Sequence, residues 1–215
     1  MSPAIEDKDA LIRRYEKRIY DLEQLLEISK SLNSTLDYDS LIQSYLYICM
    51  GHMKVLKAGL FVRDSVDREE LSLHRIRIGF ELDNSIGYTI PERHEIIGFF
   101  QKNFDVYTLD ELRPHTSDKQ LLAMLESMQP AIIAPLKAHS TINGLLVLSD
   151  HMDFGAFTPG ERDFLRTSAI FAGMAVHNAF LYEVSTTDMM TGLKQRHFFL
   201  EKLRDYQSMH TENGL

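Results

Sequence analysis

The sequence predicts an α+β fold in which an antiparallel sheet is flanked by helices, with a long helix at each end. Three features carry this expectation. From Asp9 to about Asn33 there is neither Pro nor Gly, and apolar residues recur at heptad spacing. After Gly59 the apolar period shortens from helical to that of strands. Finally, Thr158-Pro159-Gly160-Glu161 puts Thr at the cap, Pro at the first helical position and Glu at the third, a strong start for a second long helix.

The first helix gathers Ile12, Tyr15, Ile19, Leu22 and Leu26 on one seam, widened by Leu11, Leu25 and Leu32, with charges such as Arg13, Glu16, Asp21, Glu23 and Glu27 elsewhere. Alone it would leave an apolar stripe in water, so its first half is expected to pair symmetrically with a second copy and its second half to pack on its own domain. Asn33 to Asp39 supply caps for a second helix, whose residues Leu41, Ile42, Tyr45, Leu46, Cys49, Met53 and Leu56 keep a helical period as far as Gly59. Strands are expected at 59–63 and 71–78 around a turn at 64–67. Residues 83–91 read as a loop, 96–102 as a short helix and 106–109 as a brief strand. Ser117-Asp118 caps a further helix over 119–128, which Pro130 closes. The apolar runs 131–136 and 144–148 form a hairpin buried on both faces, turning near Ser140-Thr141. The last helix runs through Phe164, Leu165, Ala169, Ala172, Val176 and Phe180 to a break at Thr186-Thr187. Its Leu165, Ala169 and Ala172 are the alternative dimer face, should the first helix not provide one.

With 215 residues, 44% of them hydrophobic, the chain can build one sizeable core plus helical extensions, but not two full domains. A net charge of −8 offers no field for a polyanion, so neither nucleic acid nor a membrane surface is expected as a partner. No apolar run approaches the roughly 18 residues of a spanning helix, and the N-terminus lacks a basic and then apolar leader, so a cytoplasmic location is expected. The single cysteine, Cys49, excludes an internal disulfide, and its apolar helical setting beside Ile48 and Met53 points to packing. The nine histidines never fall at H-x-x-x-H spacing beside a carboxylate, so no metal site is expected. No nucleophile and base pairing is legible, so this chain is not expected to be an enzyme by itself.

The element order, with Leu26-Glu27-Ile28-Ser29-Lys30-Ser31-Leu32-Asn33-Ser34-Thr35-Leu36-Asp37 ahead of it, resembles the GAF family of sensor domains. Ala134-Pro135-Leu136 with Ile142 to Leu148 resembles that family's central hairpin. Phe157 to Leu165 and Ala175 to Glu183 resemble its last helix. A second resemblance follows at Asp188-Met189-Met190-Thr191-Gly192-Leu193-Lys194-Gln195-Arg196-His197-Phe198-Phe199, which is similar to the D-x-L-T-G-L-x-N-R-x-x-F opening of GGDEF domains. Asp188, Thr191, Gly192, Leu193, Arg196 and Phe199 match, while Met190 and Gln195 depart from the pattern. The division these resemblances imply is a heptad helix at 1–24, a GAF domain at 25–183, and a linker helix with the beginning of a GGDEF domain at 184–215. They imply a parent protein that makes cyclic di-GMP from GTP, regulated by this chain, with Asp188, Thr191, Gly192 and Arg196 at the signalling hinge.

For GAF domains the resemblance implies a small ligand held between the sheet and the short helices, moving the terminal helices of a dimer. A cyclic nucleotide would need backbone N–H groups at a helix start for its phosphate and an aromatic wall for its base. His94, Ile96, Ile97, Ser117 and Asp118 offer the helix starts, Tyr88 and Phe99 the wall, Arg93 a compensating charge, and His74 and Arg75 a strand-borne polar pair. The expected ligand is a purine cyclic nucleotide, cAMP before cGMP, and no cofactor is required. The alternatives are haem, ligated by His74 or His94, and a ligand-free dimerisation scaffold.

Overall fold

Strands whose residues are apolar on both faces cannot lie at a water-exposed surface, and the 132–148 hairpin sets this condition for the whole chain. The computed structural model describes residues 3–64, 68–153 and 155–187. Helices α1 (Pro3–Asn33) and α2 (Tyr38–Met53) lead into strands β1 (Ala58–Val62), β2 (Glu70–Leu73) and β3 (Thr89–Pro91). Helices α3 (Glu95–Lys102) and α4 (Leu109–Leu112), a 3₁₀ turn (Arg113–His115) and α5 (Lys119–Met128) follow. Strands β4 (Ile132–Ala138) and β5 (Thr141–Leu148) and helix α6 (Pro159–Thr186) complete the order. The strands make one sheet, β3-β2-β1-β5-β4, with every neighbouring pair antiparallel.

Alternation along the strands builds two separate cores. Ala58, Leu60 and Val62 of β1, with Ile132, Ala134 and Leu136 of β4, face α1, α2 and α6. Phe61, Ile133, Leu145 and Val147 face the other way, against Ile96, Ile97 and Phe100 of α3 and Leu121, Met124 and Leu125 of α5. In α2, Cys49 is fully buried, and that burial pushes its thiol up to about 12, in keeping with a packing role.

The caps follow the sequence closely. Thr158 and Glu161 form a capping box at α6, Asp37 accepts from the Ser40 amide at α2, and Asp118 caps α5. Other expectations need correction. The strand expected over 71–78 stops at Leu73: the His74 amide still donates to the Leu60 carbonyl, but pairing with β1 resumes only between Ile78 and Ala58. Four residues on one strand thus span two on the other, and 75–77 bulge outward. Gly79, at φ 73°, turns the chain where a Cβ would sit 2.5 Å from the Leu56 carbonyl oxygen. The loop expected at 83–91 ends in β3, too short for any period to show. Tyr107 makes one bridge to Ile133 rather than a strand. Leu165, Ala169 and Ala172, the alternative dimer face, are fully buried against the sheet. The motif from Asp188 onward, with Thr191, Gly192 and Arg196, lies outside the described residues.

Helix α6 approaches β4 so closely that a Cβ at Gly173 would lie 2.5 Å from the Lys137 carbonyl oxygen and 2.6 Å from its amide nitrogen. Gly98, inside α3, has nothing within 4 Å of the same position. One substitution is therefore expected to act with opposite signs at these helical glycines. Gly98→Ala should stabilise the chain by about 0.5–1 kcal/mol through helix propensity. Gly173→Ala should destabilise it by about 1–3 kcal/mol, because backbone must move. Urea unfolding midpoints measure both, and a stabilised Gly173→Ala would contradict this packing.

Candidate functional site

The residues singled out in the sequence fall on opposite sides of the sheet. Tyr88, His94, Ile96, Ile97, Phe99, Ser117 and Asp118 belong to the layer under α3 and α5 or to its rim. His74 and Arg75 lie on the other side, beside the start of α2. Arg93 is exposed at the sheet edge and pairs with Glu69 at 3.0 Å.

In the α3 and α5 layer the two helix starts are tied together. His94 caps α3, its Nδ1 accepting from the Ile96 amide at 3.1 Å, while its Nε2 stands 3.3 Å from Asp118 Oδ2. Asp118 Oδ1 accepts from the amides of Gln120 and Leu121 at 2.8 and 3.1 Å. Across the junction, Glu95 Oε1 accepts from the Thr116 hydroxyl at 2.7 Å, from the Ser117 hydroxyl at 3.2 Å and from the Ser117 amide. The Thr116 bond and then the Ser117 amide hold the Glu95 carboxyl below its ordinary 4.5, and the Leu121 and Gln120 amides do the same for Asp118. A phosphate arriving here would have to displace two carboxylates. The wall residues are also engaged: Phe99 stacks on His115 at 3.9 Å, and the Tyr88 hydroxyl lies 3.0 Å from that of Ser127. Beneath them, Ile96, Ile97 and Phe100 are buried against the sheet.

On the other side, a cleft of about 560 Å³ opens where the sheet emerges past the helices. Its walls come from Asp37, Tyr38 and Asp39 at the start of α2, from Ser72, Leu73, His74, Arg75 and Arg77, and from Asp64 and Glu183. His74 Nε2 faces Asp39 Oδ1 at 3.2 Å, and its Nδ1 accepts from the Ile76 amide at 3.2 Å. That arrangement fits the neutral ring with its proton on Nε2. Arg75 pairs with the second Asp39 oxygen. Tyr38 meets the His74 ring edge-on at 5.9 Å and donates its hydroxyl to the Arg63 carbonyl. Both ring nitrogens of His74, like those of His94, are therefore engaged, so an axial bond to haem iron would break a hydrogen bond at either one. Among the described residues no group of three or more His, Cys, Asp or Glu side chains is placed to hold a metal ion.

Asp39, Asp64, Ser72, Arg77 and Glu183 were not legible as site residues. Asp39 reads as a helix-cap residue and Arg77 as a strand charge. Only the bulge after Leu73, which has no periodic signature, turns the 75–77 segment toward the helix ends.

No family model matches the chain. It is 37% identical over 196 residues to a protein of Treponema denticola named Diguanylate cyclase A, a match covering 91% of this chain. The chain spans about half of that relative, 53% of its length. Among solved structures, the GAF domain of a phosphoenolpyruvate-protein phosphotransferase from Coxiella burnetii superposes with a TM-score of 0.54 at 17% identity, covering 76% of this chain and 96% of that one. The GAF domain of a putative sensor histidine kinase from Pseudomonas syringae pv. tomato gives 0.54 at 15% identity, covering 81% and 97%. A free methionine-R-sulfoxide reductase from Neisseria meningitidis, solved with its substrate, gives 0.52 at 16% identity, covering 77% and 93%.

Burial pushes His74 below its ordinary 6.5, and burial together with His139 does the same to His177. For each, the unfolded chain takes up the proton first. Stability is then complete above about pH 6.5 and falls as the pH drops from there through the lowered folded values. The lowered carboxyls act below about 4.5, outside this window. Denaturant unfolding from about pH 8 to 5 is expected to show this decline, smaller in His74→Gln. A flat profile in the parent would contradict the neutral, buried His74.

Proposed function

We propose that this chain, a domain of GAF fold, is the regulatory input of a diguanylate cyclase, passing a signal through α6 to a catalytic domain that joins two GTP molecules into cyclic di-GMP. The observation that carries this reading is the match to Diguanylate cyclase A, which runs through nearly all of the chain and spans about half of that relative. Helix α6 supports it physically, because it packs on the sheet and ends at Thr186, directly before the segment resembling a GGDEF opening. A rigid helix leaving a packed core is the kind of element whose two arrangements can be read at a distance. Among the described residues no helix is long and apolar enough to cross a membrane, and we place the protein in the cytoplasm.

The output requires a second copy, because a cyclase joining two GTP molecules needs two catalytic domains brought face to face. On α1, Ile12, Tyr15, Ile19, Leu22 and Leu26 are between 44% and 62% exposed, at spacings of three and four. Ile170, Met174 and Leu181 form a similar exposed row on α6. Both rows have the pattern of a coiled-coil seam, and a parallel pairing of each helix with its copy would cover them. Ile12→Glu, Ile19→Glu and Leu22→Glu together are expected to give monomers by light scattering. A dimer that persists would contradict this interface.

The input we propose is a purine cyclic nucleotide, cAMP before cGMP, bound between the sheet and α3 to α5. The adjoining helix starts at His94 and Ser117-Asp118, with Tyr88 and Phe99 beside them, support it. A second reading, a dimerisation module that takes no ligand, is favoured by one specific observation: that layer is filled by Ile96, Ile97 and Phe100, and Glu95 and Asp118 already occupy the helix-start donors. Thermal unfolding separates the two. Binding only to the folded state stabilises by about 2.7 kcal/mol at 100 times Kd, roughly 5–10 °C for a chain this size. A rise of that order with cAMP is expected, and no shift with either cAMP or cGMP would leave the ligand-free module. Independently, cyclic di-GMP formation from GTP by a longer protein containing this chain tests the parent activity.

A further inference from the structure

The cleft at the end of α6 differs from the α3 and α5 layer in being open and lined by charges of both signs. Its volume, about 560 Å³, falls within the ordinary range for small-molecule sites. Some of its charges serve the fold: Asp37 caps α2, and Asp39 holds His74 and the inner side of Arg75. The others face the opening. Arg77 is exposed on the bulge and donates one bond, at 3.3 Å, to the Arg75 carbonyl. Asp64, on the wall of the same cleft, reaches Arg68 at 3.9 Å. Glu183, in the last turn of α6, lines the cleft and accepts from the Thr187 hydroxyl at 3.0 Å. In the same cleft, the Ser72 hydroxyl oxygen is buried and makes no hydrogen bond. A buried hydroxyl without a partner is costly, and a ligand group reaching it would relieve that cost.

These groups select a ligand by exclusion. A simple anion would meet Asp64 and Glu183, and a simple organic cation would meet Arg75 and Arg77. A molecule carrying both charges satisfies both sets. We propose that this cleft binds a free α-amino acid, or a zwitterion of that size, with its carboxylate on the guanidiniums of Arg75 and Arg77 and its ammonium on Asp64 and Glu183. The Tyr38 ring supplies apolar wall for the remainder. Such a ligand would tie the bulge after β2 to the last turns of α6, so it would act on the output helix without passing through the α3 and α5 layer. This site is separate from the proposed nucleotide site, and its test does not depend on cyclase activity.

The test is calorimetric titration of each common amino acid, one at a time, into the 215-residue chain. At least one is expected to bind saturably with one-to-one stoichiometry. Arg77→Ala and Asp64→Asn, both at exposed side chains, should each weaken that binding about tenfold or more, the effect of removing one charged hydrogen-bond partner. Lys102→Ala, at the exposed end of α3 on the opposite face of the sheet, should leave it unchanged. Amide chemical shifts give a second reading that needs no variant: changes on titration should centre on 72–77 and 181–187. Absence of saturable binding by any amino acid, binding indifferent to both charge substitutions, or shift changes centred on 94–100 would each overturn the proposal.

Discussion

The two-sided apolar character of β4 and β5 is the condition on which the rest of the molecule depends. Neither face at the centre of the sheet can meet water, so each must carry a layer of helices, and the chain supplies one from its two ends and one from its middle. The end-derived layer is the tighter. With Gly173 lying against the Lys137 backbone, α6 is seated on β4 without a side chain between them. A helix held this way cannot slide or rotate by small increments, because close-packed interiors resist continuous deformation and change by switching between packings. That property is what the signalling role proposed for α6 requires: a disturbance of the sheet would reach its far end as a change of seat.

The polar groups are arranged around these two cores according to what each border lacks. Where α3 and α5 begin side by side, the helix starts leave amides without an intrahelical partner, and His94, Glu95 and Asp118 supply the acceptors. Where α2 begins and α6 ends, the helices stop short of β2, leaving the sheet uncovered. There the bulge after Leu73 brings His74 inward to Asp39 and leaves Arg75 and Arg77 at the rim. The first border is closed by its own side chains, whereas the second remains open. The tests of binding divide along that line.

Elements with strong local signals were legible in the sequence. The Thr158-Pro159-Gly160-Glu161 start, the Ser117-Asp118 cap and the 132–148 hairpin lie where their residue types put them, since caps and continuous apolar runs act over a few residues. The outward seam of α1 was legible for the same reason. What could not be read depends on partners distant in sequence. The end of β2 at Leu73 is set by the pairing of Ile78 with Ala58, and β3 exists because Ile90 finds Leu71. The candidate residues were misgrouped by this same effect. His74 and Arg75 sit close in sequence to Tyr88 and His94, yet the sheet separates them, while Asp39 and Glu183, far apart along the chain, share a cleft with His74. The buried face of Leu165, Ala169 and Ala172 differs from the exposed row of Ile170, Met174 and Leu181 by a rotation of the helix, which an apolar helix does not reveal until the sheet is placed against it.

The central claim is that α6 transmits the state of this domain as a helix with a defined phase. The most direct test is to insert one to seven residues of helix-forming sequence after Val184 in a longer protein that carries the catalytic domain, and to measure the rate of cyclic di-GMP formation for each insertion. The expected rates vary with the helical period, departing furthest from the parent's near two and near five or six inserted residues and returning toward it near four and at seven, about one and two turns of helix. Rates that do not change with insertion length, or that change steadily without returning, would contradict transmission through the phase of α6.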